Sequence, residues 1–97
     1  MFYHIALLEL ATNLPKGFDQ MIEESAAKIR AECGELVHFS ITPDESGRGN
    51  GFTHGMITIF KSEAGHDFYQ TAKSHDEFKV KFLPYVKKSA FFDTTLV

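Results

Sequence analysis

The ten residues Gly51 to Phe60, GFTHGMITIF, constrain the fold of this chain more than any other stretch. Phe52, His54, Met56, Thr58 and Phe60 alternate with Thr53, Gly55, Ile57 and Ile59, the period of two that belongs to a strand. Both sets are largely apolar, so both faces of the strand must meet protein. A strand of that kind sits in the middle of a sheet, and the remainder of a 97-residue chain has to cover it. One of its faces carries His54, a titratable ring among core positions.

Length and composition narrow the class. A chain of 97 residues, 43% hydrophobic and 24% charged, suits one folded domain over residues 1–97 with one core. The formal net charge is −3 and the longest basic run is Lys87-Lys88. A phosphate-binding footprint needs clustered Lys and Arg, so no nucleic-acid partner is expected. No apolar run approaches the length of a membrane span, and Met1-Phe2-Tyr3-His4 is not a basic leader, which points to a cytoplasmic protein with no membrane partner. Cys33 is the sole cysteine, so an intrachain disulfide and a CxxC metal site are excluded. It reads as a small hydrophobe closing a helix.

Taken in order, Phe2 to Leu10 is a strand with His4, Ala6, Leu8 and Leu10 on one face and Tyr3, Ile5, Leu7 and Glu9 on the other. After the turn-rich Thr12–Gly17, apolar residues recur at helical steps from Phe18 through Met21, Ile22, Ala26 and Ile29 to Cys33. Acidic residues lie early in that stretch and basic ones late, matching the helix dipole, and Gly34 is a candidate left-handed stop. Glu35 to Thr42 alternates again and is more polar, as an edge strand would be. Pro43 to Gly51 is loop. It lacks a GK[ST] ending and precedes a strand rather than a helix, so it is not a phosphate loop. Ser62 is an N-cap residue for a second helical region that carries Phe68, Tyr69 and Ala72, breaks at Lys73-Ser74-His75, and resumes through Phe78 and Phe82 to Pro84. Ala90 to Val97 alternates as the last strand.

The order β-α-β-β-α-β with right-handed crossovers predicts an α+β, ferredoxin-like fold. Its sheet is four-stranded and antiparallel, with the third strand between the first and second. Two helices can cover only one sheet face. Tyr3, Ile5, Leu7, Ile57 and Ile59 leave the other face apolar as well, a patch that soluble monomers rarely carry. Homodimerisation through that open face is the expected remedy.

With these residues in view, the chain resembles the stress-responsive A/B barrel family (Dabb) of the dimeric α+β barrel superfamily. The resemblance lies in His4 within FYHIALLEL, the GFTHGMITIF block, the run Tyr69-Gln70-Thr71-Ala72-Lys73-Ser74-His75-Asp76-Glu77-Phe78, and Phe92-Asp93 near the end. It covers nearly the whole length. Ala72 and Lys73 depart from the His-Pro that the family often has there. The resemblance implies a dimer whose two sheets form a barrel, with a small pocket between sheet and helices in each protomer. A cyclase of this family carries out a cofactor-free aldol cyclisation there with a His and a Tyr as acid–base pair. Tyr69 and His75 stand at the matching positions, and His4 and His54 match two pocket histidines.

The residues themselves support and bound that implication. Histidine exchanges a proton near neutrality. Tyr69 and His75 are six residues apart, about 600° around a continuous helix, and converge only if the helix breaks between them. A neutral His75 would then carry a proton while the Tyr69 hydroxyl donates to a developing enolate or alkoxide. Taken with the resemblance, the expected site is His75 and Tyr69 as the acid–base pair, with His4, His54, Met56 and Phe78 lining a pocket for a small aromatic or polyketide-like carbonyl compound. No HxH or HExxH spacing exists, so neither a metal nor a cofactor is expected. His38 and His66 read as edge or surface residues. Two other readings stand beside this one. A non-catalytic stress-responsive dimer would use His75 as a helix cap and Tyr69 as a core aromatic. A haem or quinol monooxygenase relative would use His75 as an axial ligand.

Overall fold

The computed structural model describes residues 1–97. Four strands, β1 (Phe2–Leu10), β2 (Leu36–Pro43), β3 (His54–Phe60) and β4 (Val86–Thr95), form one antiparallel sheet in the order β2-β3-β1-β4. The helices are α1 (Phe18–Glu32), α2 (Glu63–Thr71) and α3 (Lys73–Phe82), with a 3-10 turn at Leu83–Tyr85. The ferredoxin-like order and the placing of β3 between β1 and β2 are as the alternation predicts. No helix is long and apolar enough to cross a membrane.

The strand faces divide as the sequence pattern requires. His4, Ala6, Leu8 and Leu10 of β1 and Met56, Thr58 and Phe60 of β3 turn toward the helices, and all but His4 and Thr58 are apolar core. Thr58 is fully buried and donates its hydroxyl to the His4 carbonyl at 2.9 Å, so a polar group at mid-sheet is satisfied. From α1 the core receives Phe18, Ala26 and Ile29, and from α3 Phe78 and Phe82. On the opposite face Ile5 pairs with Ile57 and Phe92, and Leu7 with Gly55 and Ala90. That face is uncovered: Leu7 is 45% and Phe92 62% exposed.

Three local departures have physical reasons. Gly34 is not left-handed; Cys33 ends α1 with φ −102 and ψ 88, and the Leu36 amide closes the turn onto the Cys33 carbonyl. β3 begins at His54 rather than Gly51, because Asn50 and Gly51 both have positive φ and the Phe52 amide turns back to Gly49. β4 begins at Val86, four residues before Ala90. The Lys87-Lys88 pair reads as loop, yet Lys87 reaches Glu9 at 4.0 Å and the Lys88 ammonium lies 4.5 Å from the centre of the Phe52 ring. Both charges are accommodated along the strand.

Candidate active site

The site is made by a single non-helical residue. Ala72, with φ −69 and ψ 142, is extended and separates α2 from α3. Its amide donates to the Tyr69 carbonyl and its own carbonyl accepts from Asp76, so both helix ends close on it. From α1, Glu32 pins the break: its carboxylate accepts from the Ser74 amide at 2.8 Å and the Ser74 hydroxyl at 2.5 Å. Those bonds hold the Glu32 carboxyl below its usual range and place a negative charge at the N-terminus of α3. The consequence is that Tyr69 and His75 meet, with ring centroids 3.9 Å apart and planes 31° apart.

Both groups are buried with a polar atom unanswered. Tyr69 is fully buried and its hydroxyl has no hydrogen-bond partner; the Nδ1 of His75 likewise has none. Burial pushes the Tyr69 phenol well above its usual range, with Cys33 adding slightly. Burial also lowers the His75 pKa to about 4; the Lys79 charge acts in the same direction and the Gln70 carbonyl against it. At neutral pH the pair is thus a protonated phenol beside an uncharged imidazole, a donor beside a base.

His75 forms part of the wall of a cavity of about 380 Å³ between the sheet and α3. His4, Leu8, Met56, Phe78, Phe91 and Asp93 line it as well. Of the expected site residues the cavity gathers His4, Met56, Phe78 and His75. Tyr69 is not part of its wall and stands behind His75. His54 is elsewhere, which corrects its expected place in the same pocket. The register sets it opposite Leu8, whereas Thr58 is opposite His4; four residues of strand carry it about 13 Å away. There it bonds Thr53 at 2.7 Å and lines a larger cleft of about 840 Å³ against α1 and β2.

Two residues enter that sequence reasoning did not place. Asp93 of β4 stands opposite His4, and His4 Nδ1 donates to its carboxylate at 2.5 Å. His66, expected at an edge or the surface, is buried. It is boxed by Phe2, His4 and Phe60, with ring centroids at 4.7, 4.6 and 5.4 Å, and contacts the Gln70 amide at 2.8 Å. Burial lowers its pKa, and His4 adds to that. His66 precedes Tyr69 by three residues, so a helical face that buries Tyr69 buries it too; that spacing was the available signal. For Asp93 the signal was absent, because pairing with His4 depends on where β4 begins.

Comparison with known proteins agrees with the fold. No curated protein matches the sequence. A crystal structure of an Arabidopsis thaliana protein superposes with a TM-score of 0.82 at 18% identity, over 100% of this chain and 96% of its own. The hydroxynitrile lyase of Passiflora edulis gives 0.81 at 21% identity, over 99% and 93%. A dimeric ferredoxin-like protein of unknown function from Thermobifida fusca gives 0.77 at 21%, over 98% and 90%. At these identities the likeness is one of fold. The family model of the stress responsive A/B barrel domain matches residues 2–96, nearly the whole chain, and the protein therefore belongs to the Dabb family.

Proposed function

We propose that this protein is a homodimer that binds a small aromatic or polyketide-like carbonyl compound in the cavity beside His75 and moves its proton by cofactor-independent acid–base chemistry. The observation that carries this reading is the pair of unanswered buried atoms, Tyr69 Oη and His75 Nδ1, on rings in contact. A buried polar atom left unpaired costs roughly 1–3 kcal/mol, and functional sites are where such costs are kept. His75 as the base takes the proton α to the carbonyl. The C–H electron pair becomes the enolate C=C bond, and the carbonyl π electrons move to oxygen. The Tyr69 hydroxyl lies behind His75, outside the cavity wall; when the His75 ring turns aside with the proton it has taken, that hydroxyl donates to the oxygen, and the reverse steps return the proton. The apolar wall formed by Leu8, Met56, Phe78 and Phe91 suits the hydrophobic part of the ligand. A lyase shares the fold. The dimer is supported by the uncovered apolar face and by a structural neighbour described as dimeric.

Deuterium uptake tests the reading without requiring the natural substrate. Incubated in D₂O with an aromatic methyl ketone, the protein should label the α-carbon above the buffer rate. His75→Ala should reduce that catalysis by about 10²-fold or more. Labelling at the buffer rate by both proteins would remove the catalytic reading and leave a Dabb protein without acid–base activity.

A further inference from the structure

Three elements that are distant in sequence bring three metal-ligating side chains to one point. His4 comes from the first half of β1, His66 from the first half of α2 and Asp93 from β4, and their ligating atoms lie within 4.8 Å of one another. We propose that His4, His66 and Asp93 form a binding site for one divalent transition-metal ion, of which Zn²⁺ is the representative.

The donor chemistry fits. Two imidazoles and one carboxylate are the three-protein-ligand set of open zinc sites, and the same set holds other first-row divalent ions. Both histidines are buried, so the order of the core holds them. The His4 ring is flanked by Phe91, with centroids 5.8 Å apart and planes 15° apart, and the His66 ring by Phe2 and Phe60. The Gln70 side-chain amide lies 2.8 Å from Nε2 of His66; flipped so that its oxygen accepts from the Nε2–H, it orients the ring for ligation through Nδ1. Asp93 is the mobile member. Its side chain is 42% exposed, and a swing of that carboxylate with small turns of the two imidazole rings brings the three donors from within 4.8 Å to the about 3.4 Å spacing that 2.1 Å bonds at tetrahedral angles require.

Access and an open position come from the same place. His4 and Asp93 form part of the wall of the 380 Å³ cavity, so a cation enters through it and its fourth position faces it. Binding replaces the His4–Asp93 hydrogen bond and releases the shared proton. The site goes beyond the proton chemistry proposed for His75 and Tyr69 and does not depend on it, since neither residue is a ligand.

Untagged, chelator-treated full-length protein is titrated with Zn²⁺ by calorimetry and with Co²⁺ by visible absorption. The expected result is one ion per chain, with the intense Co²⁺ bands of a low-coordinate site. His66→Phe keeps an aromatic ring in the box, and Asp93→Asn keeps the side chain's shape and an oxygen that can accept from His4. Each should weaken binding by at least the roughly 10–100-fold that loss of an outer partner costs. His38→Ala, which removes an exposed histidine bonded only to Ser40, should not. Absence of binding to the wild type overturns the proposal. So does unchanged affinity in either variant whose circular dichroism is that of the wild type, and Asp93→Asn decides alone if His66→Phe fails to fold.

Discussion

Tyr69 and His75 lie in ring contact, 3.9 Å between centroids, because one residue between them leaves the helix. Each contributes a buried polar atom without a partner, and this makes the two roles separable by mutation. Tyr69→Phe removes an unsatisfied hydroxyl from the core and keeps the ring. Its stability by urea unfolding should therefore equal or exceed the wild type by up to about 1 kcal/mol. Deuterium transfer to the ketone should nevertheless fall by about 10²-fold, in kcat rather than KM, as loss of a donor to a developing oxyanion requires. A Tyr69→Phe protein that is less stable and equally active would make Tyr69 a core aromatic.

Acid should destabilise the protein through His75. Its pKa is lowered to about 4 in the fold by burial, against about 6.5 unfolded. Between those values the unfolded chain takes up a proton that the folded chain refuses. The histidine therefore costs nothing above pH 7 and progressively more as the pH falls from 6.5 toward 4. From pH 7.5 to 4.5 the loss is on the order of 2–3 kcal/mol. Urea midpoints for wild type and His75→Asn should diverge from the neutral difference by about that amount at pH 4.5, with the variant losing less. Parallel pH profiles would mean that His75 protonates freely in the folded state.

How far the chain was legible depended on whether a feature is local. The alternation of FYHIALLEL and GFTHGMITIF carried both faces of β1 and β3, and the charge order of α1 carried its helix. The six-residue spacing of Tyr69 and His75 is itself a geometric statement: contact demands a break, and Ala72 supplies it next to the Lys73-Ser74 where the pattern failed. Register was not local. Whether His54 faces Leu8 or His4 depends on how many residues the loop before it absorbs, and only the pairing of the folded strands, His54 with Leu8 and Thr58 with His4, settles that. His66 was hidden by its polarity, which is answered in the fold by an aromatic box and Gln70. Asp93 was hidden behind the strand start, since two lysines at its head resemble a loop.

The open sheet face should associate. Leu7 projects from the central strand β1 into that face, near Phe92 and Ile57, which both pair with Ile5. Two copies meeting there would bury the apolar side chains that are now in contact with water, at about 25 cal/mol per Å². Light scattering of the wild type should give the mass of two chains. Leu7→Asp sets a charge in each partner's interface and should shift the mass to one chain at micromolar concentration, with the far-ultraviolet spectrum retained. A monomeric wild type would show that the face is tolerated in water.

Gly65 should resist a substitution that helix propensity favours. It lies in the first turn of α2, where Gly→Ala at an exposed site would gain roughly 1 kcal/mol. Here a Cβ would stand 2.7 Å from the Cβ of Glu35 and 3.2 Å from its Cδ, and the nearer atom is held by the backbone before β2. Glu35 also accepts the Ser62 hydroxyl at 2.8 Å, while Ser62 accepts from the Gly65 amide. The side chain that would have to move is thus the one that supports the N-cap. Gly65→Ala should lower stability by about 1–3 kcal/mol, the usual range for overpacking, read as a drop in the urea midpoint without change in slope. Glu35→Ala in the same background leaves the clash of the two Cβ atoms in place and should recover little of it. Glu35→Gly removes both contacts and should recover most of the clash. Equal stability of Gly65→Ala and the wild type would show that α2 can shift away from the start of β2 at no cost.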